Sequence, residues 1–175
     1  YRWDYWRWHI NENIFRFELG AAVFLWDTPD GRIAAVLNPD NPGEAFLQAG
    51  MRATLGIIVL EFPSAYASDA DDYLAKGLAM RDELKDEPLL SFTFAPHAPY
   101  TISDATFGRI NTLAEQLSLP IHIHIHETAD EVRDSLKQYG VRPLERLAGL
   151  GLLGPNFIGV HAIHEIHFDR AVATG

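Results

Sequence analysis

The run Ile121-His122-Ile123-His124-Ile125-His126-Glu127 constrains this chain more tightly than any other stretch. Apolar and polar residues alternate strictly, which is the period of a β-strand. In such a strand the histidines share one face and the isoleucines share the other. Consecutive imidazoles seldom line a dry core, so their face points into a metal-binding or catalytic cavity. A second reading keeps His122, His124 and His126 as hydrogen-bonded residues of a polar barrel lumen, with no ligand.

The surrounding pattern makes this strand one of a series. Ala53 to Leu60 is an apolar run that ends at Glu61-Phe62-Pro63. Ser68 is placed to cap a helix whose Tyr73, Gly77, Met80 and Leu84 share a face. Leu89 to Ala95 alternates as a strand, with Phe92 and Phe94 on one side. Ser103 is placed to cap the next helix, striped by Phe107, Ile110, Ala114 and Leu117. After the histidine strand, Thr128 and Glu131 have capping-box spacing and open a helix carrying Val132, Leu136 and Tyr139, which Gly140 ends. Pro143 starts a short helix, and Asn156 to Ala162 is the last apolar strand. Repeated βα units of this length predict a parallel sheet with crossover helices. Active sites of such folds lie at the C-terminal ends of the strands. His97, Glu127, His161 and His164 all fall there.

Residues 1–44 read differently. Ile14 to Trp26 and Ile33 to Leu37 look like strands joined across Pro29-Asp30-Gly31. Asn38 to Gly43 is a loop or linker, and the opening Tyr1 to Trp8 is dense in aromatics that suit packing better than base stacking. The expected division is a divergent N-terminal β segment over 1–44 and an α/β unit over 45–175.

Composition narrows the partners. Among 175 residues, 24 acidic against 14 basic side chains give a net charge of -10, which argues against nucleic acid and anionic membranes. With no cysteine, any metal must sit on His, Asp or Glu. The absence of cysteine fits a cytoplasmic setting. No apolar run approaches the ~20 residues of a membrane span, and the N-terminus is unlike a signal peptide.

Chemistry concentrates at the strand ends. His124 and Glu127 stand three residues apart, so that a metal on the imidazole would leave the carboxylate free to move protons. His97 sits between Pro96 and Pro99 in Ala95-Pro96-His97-Ala98-Pro99, where the prolines aim the imidazole; an ordinary loop histidine is the alternative. His161, His164 and His167 recur every third residue, as ligands or as one solvated helical face.

Taken together, Ala49-Gly50-Met51-Arg52-Ala53, Phe94 through Thr101, Pro120 through Thr128, and Val160-His161-Ala162-Ile163-His164 resemble the amidohydrolase superfamily. The nearest branch is the cytosine-deaminase-like one, with methylthioadenosine/S-adenosylhomocysteine deaminases and chlorohydrolases. The resemblance runs from about Ala45 to His164. It implies a (β/α)₈ barrel with one divalent metal, zinc or iron. It also implies a metal-activated water that attacks an amidine-like ring carbon and releases ammonia. On that resemblance His124 is a metal ligand; His122, on the same strand face, or His161 is the expected further donor. Glu127 shuttles the proton, His161 orients the water, and His97 contacts the ribose side of the substrate.

The text also departs from the family. No His-x-His pair precedes His97; His9 stands alone, with Asn11 at the second place. Asp169 comes too early to be the eighth-strand aspartate, and a barrel of this type needs about 250 residues. The expected fold is therefore α/β, a partial (β/α) TIM-type barrel with parallel strands plus an N-terminal β-hairpin-like element. The expected function is that of a metal-dependent aminohydrolase acting on C–N bonds of an adenosine-like, nucleoside-type small molecule, incomplete in this chain and with metal binding weak or absent. A non-catalytic barrel fragment or chimaera and a histidine-rich metal-binding module are the alternatives. An open parallel edge calls for cover, either by the N-terminal hairpin or by pairing of copies as a homo-oligomer.

Overall fold

The computed structural model describes residues 52–164 throughout, together with Gly43, Phe46, Leu47, Gly50 and the strands Leu25–Asp27 and Ile33–Ala35. These first two strands, β1 and β2, pair antiparallel, with Leu25 opposite Ala35 and Asp27 opposite Ile33. A hairpin-like pairing thus exists where the sequence predicts one. The rest of the expected first strand, from Ile14, lies outside the described residues, as do His9, Asn11, His167 and Asp169.

The main body alternates strands and helices. In chain order come β3 (Ala53–Val59), α1 (Ala70–Leu84), β4 (Leu90–Pro96), a 3-10 turn over Pro99–Thr101 and α2 (Asp104–Leu117). They are followed by β5 (Ile121–Ile125), α3 (Ala129–Tyr139), α4 (Pro143–Gly149) and β6 (Phe157–His161). The strands form one sheet in the order β3-β4-β5-β6, and every neighbouring pair is parallel. This is a stretch of parallel βα architecture, as expected.

Pleating divides the sheet into an apolar and a polar face. Leu55, Ile57, Val59, Phe92, Phe94, Ile121, Ile123 and Ile125 are buried. Ile57, Val59, Phe94 and the isoleucines of β5 share one core cluster with Tyr73 and Leu74 of α1, Phe107 and Ile110 of α2, and Leu147 of α4. The other face carries Thr54 and Ser91, whose hydroxyls bond at 2.7 Å, then Thr93, His122 and His124.

Helix boundaries follow local chemistry. Asp69, not Ser68, caps α1: its carboxylate accepts from the Asp72 N–H at 2.9 Å, while Ser68 donates to Asp72 and Asp69. A carboxylate at this position also suits the helix dipole. Ser103 caps α2 as predicted, and Gly140 ends α3 in a left-handed conformation. The predicted apolar stripe of α3 is only partly right. Val132 is buried, but Leu136 and Tyr139 are 43% and 38% exposed. Glu131 and Ser135 turn inward instead, and Tyr139 packs beneath the Arg146 guanidinium, 4.0 Å from its ring centroid. Arg146 is itself buried and donates to Asp104 and to the Pro99 and Ile102 carbonyls, tying α4 to the loop after β4.

Close packing of α1 on β3 depends on Gly77. A Cβ there would stand 2.3 Å from Ile57 Cγ2. Helix propensity alone favours Gly77→Ala by about 1 kcal/mol. The clash reverses that preference, so Gly77→Ala is expected to lower stability by about 1–3 kcal/mol in denaturant titration. A stabilised variant would show that the helix is free to shift.

Candidate active site

The polar face ends in a compact group of side chains at the C-terminal ends of β4, β5 and β6. His124, the fourth residue of β5, is half-buried at its centre. Its ring lies 5.4 Å from that of His97 in an edge-to-face contact and 5.5 Å from that of His161 in a stacked one. Nε2 of His161 is 3.6 Å from Oε1 of Glu127. Four of the five predicted site residues are therefore together. His122 shares the face of His124 two residues earlier, is exposed, and has no ring contact with this group.

The orientation of His124 is fixed by a neighbouring strand. Its Nδ1 donates to the His97 carbonyl at 2.7 Å. A ring nitrogen committed to a backbone carbonyl leaves the Nε2 lone pair as the acceptor, the arrangement typical of metal-bound imidazoles. β4 and β5 share a single ladder pair, Phe94 with Ile121. The side-chain bond from His124 thus joins the two strands where their backbone ladder has ended.

His97 is set by more than its flanking prolines. Pro96 ends β4 and Pro99 opens the 3-10 turn. The Thr101 hydroxyl accepts from the Ala98 N–H, donates to the Ala98 carbonyl and lies 3.3 Å from His97 Nδ1. Burial pushes the His97 imidazole below its ordinary value; His124 adds to that shift and Glu127 opposes it. Tyr100, 60% exposed, meets the His97 ring edge-on at 6.1 Å.

His161 reaches the group through an irregular backbone. It pairs in register with Ile125, whose side chain lies in the core, so regular pleating would send His161 the same way. Instead its φ is +72°, and the Ala162 N–H donates to the Val160 carbonyl at 3.1 Å. This is a γ-turn of the rare positive-φ kind. Such strained conformations persist where the surroundings over-determine them, and they cluster at functional sites. No helical face containing His161 and His164 forms among the described residues, because β6 runs to His161 and a bend follows.

His126 corrects the strand reading. The expected shared face for His122, His124 and His126 holds only for the first two. β5 ends at Ile125, and His126 takes φ +52° and turns into the interior, 1% exposed. Its Nδ1 donates to the His164 carbonyl at 2.8 Å, and its Nε2 accepts from the Leu144 N–H at 3.2 Å. Both nitrogens are thus used by backbone, so His126 is a structural clip and not a ligand.

The turn that follows holds a residue the sequence points to for another reason. Thr128 accepts from the Glu131 N–H at 3.1 Å, as a helix cap should. Glu131 does not return the bond to Thr128. Its two carboxylate oxygens accept from the His126 and Glu127 amides, each at 2.9 Å. Capping-box spacing flags Glu131 correctly, but the spacing alone points to the wrong partner.

Among the described residues, no group of three or more His, Asp or Glu side chains is arranged to hold a metal ion. His124 supplies one well-oriented donor, and the set is incomplete.

Comparison with known proteins bears on this geometry. Residues 33–170 match the profile of the amidohydrolase family. The chain is 46% identical over 136 residues to a 5-methylthioadenosine/S-adenosylhomocysteine deaminase of Saccharophagus degradans, covering 78% of this chain and 30% of that protein. A zinc-bound adenosine deaminase structure from Xanthomonas campestris superposes with a TM-score of 0.70 at 47% identity, over 71% of this chain and 28% of the other. Atrazine chlorohydrolase from Arthrobacter aurescens, complexed with zinc, shares the fold at a TM-score of 0.60 and 18% identity, over 70% of this chain and 29% of that one. The chain thus spans less than a third of the length of these relatives.

The hydrogen bonds fix ring tautomers. Nitrogen-15 NMR of the imidazoles is expected to show His124 and His126 protonated at Nδ1 and bare at Nε2. The opposite tautomer at His124 would remove its free Nε2 from the site.

Proposed function

Because the chain belongs to the amidohydrolase family, we propose that it carries part of the active site of a metal-dependent aminohydrolase acting on an adenosine-like nucleoside. The observation that carries this reading is the strand-end group itself, in which His124 presents an uncommitted Nε2 beside His97, His161 and Glu127. The deaminase relative at 46% identity supports the choice of a purine nucleoside.

The chemistry needed is hydrolytic loss of ammonia from an amidine-like ring carbon. A divalent metal, with zinc the first choice, would supply the polarisation that makes water nucleophilic near neutral pH. His124 is the donor we assign to it, with His122 next along the same face. Glu127 takes the proton from the attacking water and delivers it to the ring nitrogen. His161, within reach of Glu127, orients that water. His97 borders the group on the β4 side and is assigned to the ribose end of the substrate. Its burial favours the neutral ring, which can either donate or accept a hydrogen bond to a sugar hydroxyl.

The incomplete donor set among the described residues favours a second reading, in which the chain by itself keeps the fold without turnover. Grafting separates the two. Residues 45–164, placed in the corresponding part of the Saccharophagus degradans relative, acquire the remaining strands of that protein. Metal-dependent ammonia release from adenosine derivatives is expected from the graft, with Glu127→Gln lowering it by at least about 100-fold. The ungrafted chain is expected to release ammonia near background. A folded, metal-loaded graft that is inactive, or one indifferent to Glu127→Gln, would contradict the aminohydrolase reading.

A further inference from the structure

Glu131 is 7% exposed, and its carboxylate is spent entirely on the chain just before it. A capping-box glutamate binds the N-cap amide and serves its own helix. Here the carboxylate passes over Thr128 and takes the amides of His126 and Glu127. Those residues form the turn by which the chain leaves β5, and His126 adopts a left-handed conformation there that favours glycine. Hydrogen bonds from two amides to one carboxylate are of the stronger, charge-assisted kind.

We propose that Glu131 is a positioning residue whose carboxylate, by gripping the His126 and Glu127 amides, sets where the Glu127 side chain stands. The role given to Glu127 rests on the aminohydrolase reading; the grip itself does not. The same turn holds the neighbouring strand end. The His126 carbonyl accepts from the Ile163 and His164 amides, each at 3.1 Å, and the His126 ring bonds the His164 carbonyl. One buried carboxylate therefore governs the exit from β5 and, through His126, the loop after His161.

Amide hydrogen exchange of the full chain, read by NMR, tests this without any turnover. Glu131→Gln keeps the shape of the side chain but sets an N–H donor against one of the two amides. That variant is expected to speed exchange at His126 or Glu127 at least about tenfold relative to Ile123 and Ile125. Glu131→Asp, too short to span both amides, is expected to do the same if the glutamine variant does not fold. Gly77→Ala, which loosens the fold far from this turn, is expected to move all four amides together. Unchanged protection at both His126 and Glu127, or the uniform pattern of Gly77→Ala, would overturn the assignment. An inactive graft would count against the aminohydrolase reading alone, because the amide result stands without catalysis.

Discussion

The arrangement of this molecule depends on the burial of Ile121, Ile123 and Ile125 against the helices. Each is at most 4% exposed. Burying an isoleucine side chain is worth roughly 1.5–3 kcal/mol. A slip of one residue would expose these side chains and drive imidazoles into the apolar layer, so the register of β5 is strongly specified. His124 is therefore held on the opposite face by the packing of its neighbours before any hydrogen bond forms. The bond from its Nδ1 to the His97 carbonyl then fixes the ring.

Beyond the strands, regular geometry gives way to specified irregularity. His126 and His161 both have positive φ without being glycine. One turns its ring into the interior as a clip; the other turns its ring toward His124. Left-handed conformations of this kind cost about 1–3 kcal/mol and need surroundings that compensate. The Glu131 carboxylate supplies two hydrogen bonds at the first site. At the second, the Ala162 N–H bonds the Ile125 carbonyl at 2.9 Å. Strand ends are where a sheet no longer satisfies its own backbone, so side chains placed there both build the structure and remain available for chemistry.

This division explains what the sequence could say. Alternation in β5, the aromatic pair in β4, and the caps at Ser103 and Gly140 are local, periodic signals, and the structure follows them. The group of His97, His124, Glu127 and His161 is legible because parallel βα folds gather strand ends in one place. The three-histidine face fails at His126 because alternation carries no information about where a strand stops. The roles of Thr101 and Glu131 depend on backbone partners brought near by tight turns, and spacing cannot reveal these. Nor can spacing show that the γ-turn at His161, rather than pleating, delivers its imidazole.

If, as proposed, the strand-end group is built around a metal donor at His124, zinc binding by the purified chain must depend on that residue. A zinc titration of the purified chain, by competition with a chromophoric chelator, tests it most directly. With few donors, binding is expected to be weak, since zinc sites use three or four ligands. His124→Ala should weaken it at least about tenfold, the scale of losing a ligand or its support, and more than His9→Ala does. Equal losses in the two variants, or zinc binding untouched by His124→Ala, would contradict the account.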